Sequence, residues 1–160
     1  MASDIRLVVD GEFTVASSSQ QMGSGSTDIF NSAFVFGTAS SKWIFRSAGS
    51  SSQSYGTADT SRHVFSIESG IGKVDSTSYT VPAYSQSTDG DHMYVFARHN
   101  GSNIYGACKF KMYSCQIYKN DVLVRDFIPV IDNQDVACLY DKISKSLFYN
   151  IGTGDFSVPS

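Results

Sequence analysis

Two acidic residues in one short stretch come closest to a catalytic arrangement in this sequence. Asp10 and Glu12 lie two positions apart within residues 5–14, a spacing that would place both side chains on one face of a strand. Retaining glycosidases hold an acid and a nucleophile about 5 Å apart in such a pair. Glycosidases built on β-sandwiches extend the pattern to a third acid, whereas Val8 and Thr14 occupy the flanking positions here. A solvated outer face therefore explains the pair equally well.

The histidines and cysteines show no spacing that is typical of a nucleophile or a metal site. None of the three histidines belongs to a recognisable nucleophile motif, and a Cys–His pair formed in space stays open. The odd number of cysteines and the lack of a C-x-x-C spacing argue against a disulfide framework and against zinc. We expect three buried, reduced thiols. These residues are His63, His92, His99, Cys108, Cys115 and Cys138.

An acidic turn at residues 89–91 is the remaining candidate for an ion site. Asp89 and Asp91 flank Gly90, and carboxylate oxygens are among the ligands that Ca²⁺ prefers. The same Asp-Gly pattern is typical of an ordinary turn, which we favour. We therefore expect neither a metal site nor a cofactor, with Ca²⁺ as the open alternative.

Aromatic and amide side chains beside predicted loops could bind a carbohydrate. Sugars are held by aromatic faces that stack on their apolar sides and by planar polar groups that match their hydroxyls. Trp43 is the only tryptophan, and it equally fits a core position. The polar stretch 99–103 equally fits a plain hairpin turn. The candidate ligand-binding residues are Trp43, Arg46, Tyr55, His99, Asn100 and Asn103.

Strands would position these side chains, because apolar residues recur at every second position. In residues 5–14, for example, Leu7, Val9 and Phe13 share one face. The pattern predicts roughly ten to twelve strands and no amphipathic helix, which is typical of an antiparallel two-sheet sandwich. The predicted strands cover residues 5–14, 33–38, 42–47, 62–68, 73–75, 79–81, 92–98, 107–118, 122–130, 136–141 and 146–149, and polar loops cover 16–28, 47–54 and 85–91.

The longest predicted strand, residues 107–118, changes the parity of its apolar positions near its middle. One extra residue near Tyr113 and Ser114 would restore a single inward face, so we expect a β-bulge there. The alternative is a strand that is buried on both faces at that end.

Residues 118–121 supply a hairpin turn, and the returning strand follows from it. Arg125 should share a face with Leu123, while Asp126 points to the opposite side. Each of the two charges then needs its own partner, from the backbone or from a neighbouring strand. Pro129 should end the ladder, because it has no backbone N–H to donate.

The composition favours one β-rich domain and argues against several classes of function. The chain has 160 residues, of which 41% are hydrophobic and 17% charged, and this suits a single domain. A net charge of −3 without a long basic run argues against nucleic acid and anionic membranes as partners. The apolar stretches are too short to span a bilayer, and the first residues show no secretion signal.

The last part of the chain carries motifs that resemble those of a known family. Residues 94–156 resemble the C-terminal half of laminin-G-like, concanavalin A-like jelly-roll domains. Such domains occur in tail and virion proteins of phages that infect gut bacteria, and in surface proteins of those bacteria. Upstream the match is loose and confined to residues 34–38. The matching motifs are KMYSCQIY at 111–118, LVRDFIP at 123–129, LYD at 139–141, FYN at 148–150, GTG at 152–154 and Phe156.

The resemblance implies an antiparallel two-sheet jelly roll of the concanavalin A-like type. We expect one such domain over residues 1–160, in one interpretation excised from a larger protein. The family's usual first strand, with a Thr-Gly-Gln-Tyr-Ile-Asp type segment, is missing from the sequence, so a partner could complete the sheet edge. The residues that the resemblance assigns to the scaffold rather than to a ligand are Arg125, Asp126, Tyr140 and Asp141.

By this resemblance we expect a non-catalytic carbohydrate- or receptor-binding domain of a phage tail or bacterial surface protein. It would recognise cell-surface glycan, and its location would be the virion or the cell surface. Further expected partners are other virion or surface-protein chains and copies of the same chain in a homo-oligomer. The alternative is a structural or assembly domain of a virion that binds no sugar, and the third possibility is a glycan hydrolase.

Overall fold

The structure is a computed structural model that describes residues 5–23, 35–46, 53–82, 96, 98–100, 103–105, 108–151 and 156–157. For residues 35, 46, 98–100 and 103–105 it describes the backbone alone. All regular structure in these ranges is β-strand, and they contain no helix. The predicted all-β class is therefore confirmed for this part of the chain. None of the described segments is a helix long and apolar enough to cross a membrane.

Fourteen strands within the described ranges form two sheets. They are β1 (Ile5–Phe13), β2 (Gln20–Gly23), β3 (Val35–Ala39), β4 (Lys42–Arg46), β5 (Gln53–Tyr55), β6 (His63–Glu68), β7 (Ile71–Val74), β8 (Thr77–Thr80), β9 (Arg98–Asn100), β10 (Asn103–Tyr105), β11 (Phe110–Lys119), β12 (Val122–Ile131), β13 (Ala137–Asp141) and β14 (Ser146–Phe148).

The larger sheet is antiparallel, with the strand order β14-β13-β12-β11-β1-β6-β7-β8. In the second sheet, β2 to β5 pair as antiparallel neighbours in chain order. The β9–β10 hairpin extends this sheet beyond β2 through a single parallel bridge between Gly23 and Arg98. Both sheets are open rather than closed into a barrel.

The two sheets pack face to face around an aromatic core. Phe36 of the second sheet stacks on Phe65 of the first with ring centroids 5.4 Å apart, and Trp43 meets the same ring at 5.3 Å. Phe13 lies between the sheets as well, fully buried and within 5.5 Å of Phe65. Burial of each such side chain contributes roughly 1.5–3 kcal/mol. The predicted two-sheet β-sandwich is thus confirmed.

The β-bulge predicted near Tyr113 and Ser114 is present in β11. The register with β1 pairs Asp10 with Ser114 and Gly11 with Met112, so Tyr113 is the extra residue. Both Met112 and Cys115 are consequently buried, although they differ in parity along the strand. An inserted residue therefore keeps one apolar face directed at the core.

The predicted hairpin turn between β11 and β12 is also confirmed. Lys119 pairs with Val122 across it, and the two central residues, Asn120 and Asp121, have φ values of 50° and 60°. Positive φ at both central positions is the requirement of a type I′ turn, whose twist matches that of the flanking strands. The β3–β4 turn has the same form.

Two features of β12 differ from the prediction. A register shift pairs Ile117 with Arg125 and Tyr118 with Leu123, so Val124 is an extra residue and Leu123 does not share the face of Arg125. Pro129 does not end the strand, which continues to Ile131 in its pairing with β13. Pairing with β11 nevertheless stops at Phe127, two residues before the proline, so Pro129 lies where β12 has only one partner strand.

The expectation that residues 16–28 form one long surface loop is wrong, because β2 lies within them. Gln20 and Met22 of β2 are buried. Gln20 Oε1 accepts a hydrogen bond of 2.7 Å from the backbone N–H of Lys109, and its Nε2 donates one of 2.9 Å to Ser18 Oγ. A polar residue can therefore occupy a buried strand position because both ends of its amide group are paired. The loop predicted at 47–54 similarly overlaps the start of β5.

Several predictions lie wholly or largely outside the described residues. These include the acidic turn with Asp89 and Asp91, and His92 with most of the predicted strand 92–98. Within that strand Phe96 has a φ of 71°, and β9 begins only at Arg98. A residue in this conformation does not continue a strand.

Candidate functional site

Trp43, the leading candidate for stacking on a sugar, is a core residue. Its side chain is 4% exposed, and its indole packs edge-on against the rings of Phe65 and His63, each at 5.3 Å between centroids. A sugar cannot reach a ring face that is covered by neighbouring rings. The core interpretation of Trp43 therefore accounts for its place in the structure.

Tyr55 pairs with Trp43 across β4 and β5 and is half-buried. Its ring lies 5.1 Å from that of Tyr79, and its hydroxyl donates to the Thr80 carbonyl at 2.8 Å. Burial raises the pKa of this phenol. Since β8 belongs to the larger sheet, these contacts tie the two sheets together, and they leave only part of the ring available to a ligand.

The remaining candidates lie in the second sheet, where the structure describes them by backbone alone. His99 and Asn100 belong to β9, Asn103 to β10 and Arg46 to β4. The alternative interpretation of residues 99–103, a hairpin turn, agrees with the backbone, because Asn100 pairs with Asn103 across the connection; a ligand-binding role for these residues stays a prediction.

The structure does not bring all six candidates together. In the strand order of the second sheet, β4 and β9 are separated by β2 and β3, which corresponds to roughly 14 Å at the usual strand spacing. One group, Trp43, Arg46 and Tyr55, therefore lies near the β5 edge of this sheet. The other group, His99, Asn100 and Asn103, lies at the β10 edge.

The two carboxylates of β1 are each engaged by a cation. Arg62 donates to Asp10 through Nε at 2.7 Å and through its terminal nitrogen at 2.6 Å, and Lys111 Nζ lies 3.3 Å from Glu12. The hydrogen bonds from Arg62 lower the pKa of Asp10. A glycosidase acid needs a raised pKa in order to hold its proton near neutral pH. The geometry at Asp10 thus favours a permanently ionised pair rather than a proton donor.

Arg62 has a second partner on the outer face of the larger sheet. Its guanidinium carbon lies 3.9 Å from the ring centroid of Tyr113, the extra residue of the bulge. A cation at this distance is attracted electrostatically to the face of an aromatic ring. The bulge therefore brings Tyr113 to the Arg62–Asp10 pair, and the three side chains form one polar cluster.

Sequence reasoning missed a second polar cluster, centred on His63. Nδ1 of this histidine lies 2.6 Å from Asp75 Oδ2, and Nε2 lies 3.0 Å from Asp59 Oδ1. Carboxylates only accept hydrogen bonds, so the ring can serve both of them only as the doubly protonated imidazolium. Burial lowers the pKa of His63, but the hydrogen bonds that the ring donates to both carboxylates outweigh burial, and the pKa is raised. The useful signal in the sequence was the β6–β7 hairpin, which places Asp75 across from Val64.

The cysteines and acidic residues provide no metal centre in the part of the chain that the structure describes. No group of three or more His, Cys, Asp or Glu residues there is placed to hold an ion. All three cysteines are free; Cys115 and Cys138 are buried as expected, while Cys108 is half-buried. Burial raises the pKa of Cys108 and of Cys115 to about 12, so both thiols remain protonated and weakly nucleophilic.

No protein-family model matches this chain, and no curated protein or solved structure is significantly similar to it. The family resemblance of residues 94–156 therefore stays a prediction.

Proposed function

We propose that this chain is a non-catalytic carbohydrate-binding domain of the concanavalin A-like, jelly-roll type, from a phage tail protein or a bacterial surface protein. Two things support the proposal. The motifs of residues 94–156 resemble those of such domains, and the described residues form a two-sheet β-sandwich, which is the general class to which such domains belong.

The observation that carries the proposal is the polar hairpin at one edge of the second sheet. The β9–β10 hairpin joins its neighbour β2 through a single bridge, and its backbone places His99, Asn100 and Asn103 on either side of the two-residue connection. Amide and imidazole groups match the hydroxyl pattern of a sugar. Binding at so small a site is weak, and repetition on a particle strengthens it through effective concentration.

A glycan array tests this proposal most directly. The domain is biotinylated and displayed on tetravalent streptavidin, so that weak sites act together whether or not the free protein associates. We expect binding to a restricted set of bacterial cell-surface glycans. The triple substitution of His99, Asn100 and Asn103 by alanine should reduce the bound signal at least about tenfold.

A matched control comes from another polar loop of the same domain. Asn133 is exposed and lies in the β12–β13 connection, so Asn133→Ala should leave the array signal unchanged. Equal signals from the triple variant and the original protein would refute the hairpin as the binding site. A blank array for the original protein would refute the carbohydrate proposal as a whole.

An assembly role without sugar binding is the second candidate, and a specific observation favours it. Large apolar side chains are exposed around β14, an edge strand of the described sheet. Soluble monomers rarely expose contiguous apolar patches, and such patches often mark interfaces. A stable assembly in solution combined with a blank array would favour this candidate.

A further inference from the structure

The edge of the larger sheet at β14 exposes more large apolar side chains than any other part of the described chain. Three consecutive residues, Leu147, Phe148 and Tyr149, are each at least 40% exposed, and Ile151 just beyond them is 91% exposed. Ile131, the last residue of β12, and Val136, in the connection from β12 to β13, are also exposed and lie near the same edge of the larger sheet. We call this set the β14 edge. An edge strand with exposed apolar side chains can pair with another strand.

Charges of opposite sign flank the β14 edge at its two ends. The loop that joins β13 to β14 carries Lys142 and Lys145, both exposed. Lys142 Nζ lies 2.7 Å from Asp126 Oδ2, so Lys145 is the lysine of this loop that forms no ion pair within the described part of the chain. At the other end of β13, the connection from β12 carries Asp132 and Asp135. A hydrogen bond of 2.9 Å from the Tyr149 hydroxyl to Asp132 Oδ2 holds this acidic loop beside the residues that follow β14. The edge is therefore basic at its start and acidic at its end.

We propose that two copies of this chain associate edge to edge through β14, antiparallel about a two-fold axis. A two-fold axis near Leu147 would place Lys145 of one copy beside Tyr149 and the acidic loop of its partner, and the reverse at the other end. Isologous contacts of this kind are self-complementary. A parallel arrangement would instead bring like charges together, which destabilises strand pairing. Charge complementarity thus selects a second copy as the occupant and fixes its orientation.

The edge-to-edge dimer does not depend on glycan binding. It names the partner, the paired strand and its orientation, which a general assembly role leaves open. The paired edges would join the two larger sheets into one continuous sheet. Leu147 would face its own counterpart at the axis, where its exposed side chain loses contact with water. Phe148, whose ring lies 5.3 Å from that of Phe127, would rest against the partner's edge on the other face.

Sedimentation velocity over a range of protein concentrations tests the proposal with two kinds of variant. The original protein should show a dimer whose fraction rises with concentration. Leu147→Lys should give a monomer, because an edge lysine opposes strand pairing. Ile71→Lys is the matched control: Ile71 is 39% exposed against 41% for Leu147, but it lies in β7, near the other end of the sheet, and the dimer should persist.

Charge reversal tests the orientation without disturbing apolar packing. Lys145→Glu alone and Asp135→Lys alone should each raise the dimer dissociation constant about tenfold, because a two-fold interface counts every substitution twice. An equimolar mixture of these two variants should associate again, since both ends of the mixed pair then carry opposite charges. Melting curves of each variant confirm that it is folded.

Four results would overturn the inference: a wild-type monomer at every concentration, a trimer or larger assembly, a dimer unaffected by Leu147→Lys, or single variants that the mixture does not rescue. None of these sedimentation results depends on sugar binding. The glycan array, in turn, uses protein held on streptavidin, so its result does not depend on dimer formation. Either proposal can therefore fail while the other still holds.

Discussion

Replacement of Asp141 by alanine should remove the most heavily hydrogen-bonded side chain of the β13–β14 region. This carboxylate is fully buried. Its Oδ1 accepts hydrogen bonds from the backbone N–H groups of Asp126 at 2.9 Å and Ile143 at 3.1 Å. Its Oδ2 accepts one of 3.3 Å from the N–H of Ser144. One side chain thus fixes the start of the β13–β14 loop and anchors it to β12.

The expected loss of stability follows from where these donors lie. The N–H of Asp126 belongs to a buried residue, and an unsatisfied buried donor costs roughly 1–3 kcal/mol beyond the lost bond. Ile143 and Ser144 are exposed, so their N–H groups can turn to water and contribute less. Together these effects predict a decrease of about 3–5 kcal/mol in the free energy of unfolding for Asp141→Ala. For a domain of this size, that corresponds to a melting temperature lower by roughly 6–20 °C.

Urea denaturation followed by tryptophan fluorescence measures this change, because Trp43 is the only tryptophan and is buried. Asp141→Asn keeps an acceptor oxygen but loses the charge, and it should cost less than the alanine variant. Asn133→Ala, at an exposed position of the β12–β13 connection, is the control and should be nearly neutral. A loss below about 1 kcal/mol for Asp141→Ala would refute the reasoning, since it would fall within the range of ordinary surface substitutions.

The stability of the protein at low pH should also depend on the Asp141 carboxylate. Burial raises the pKa of Asp141, but its backbone hydrogen bonds and Ser144 outweigh burial and hold the pKa below its ordinary value. Its contribution to stability is therefore present above the unfolded pKa, about 3.9, and is lost as the pH falls through the folded value. Asp141→Asn should accordingly flatten the stability profile below about pH 4. An unchanged acid profile in this variant would contradict the assigned pKa direction.

Two further predictions concern other parts of the sandwich. The pKa of His63 is raised in the folded state, so its bonds to Asp59 and Asp75 stabilise the fold fully below about pH 6.5 and less as the pH rises through the folded pKa. His63→Asn should lose this pH dependence of the melting temperature above pH 6.5, and identical profiles would contradict it. Gly37→Ala would place a methyl group against the backbone carbonyl of Gln20, and we expect a loss of about 1–3 kcal/mol, measured by urea denaturation; a neutral result would show that β2 shifts freely.

The features that the sequence predicted well depend on a strict apolar alternation. In β1, Leu7, Val9 and Phe13 point inward as expected, because a period of two leaves no other face for them. The bulge at Tyr113 was predictable for the same reason, since a change of parity within one strand has few physical causes. These inferences need only local information.

The features that were missed depend on tertiary contacts. Gln20 belongs to a buried strand because Lys109, far along the chain, supplies its hydrogen-bond partner, and polar composition alone suggests a loop. His63 owes its two carboxylate partners to the packing of a loop and a turn. Trp43 was weighed as a binding residue although aromatic rings from two strands, β1 and β6, pack against it. Which of two equally apolar surfaces is covered cannot be decided before the sheets are assembled.

The left-handed turn at Asn120 and Asp121 has a consequence for how this domain can diversify. Asn and Asp adopt this conformation more readily than other non-glycine residues, and surface loops tolerate insertions better than the strands that they connect. A tip of that kind can be shortened, lengthened or exchanged while the framework beneath it keeps its shape. Natural variants of this protein should accumulate their insertions there before they alter the long strands that the tip connects.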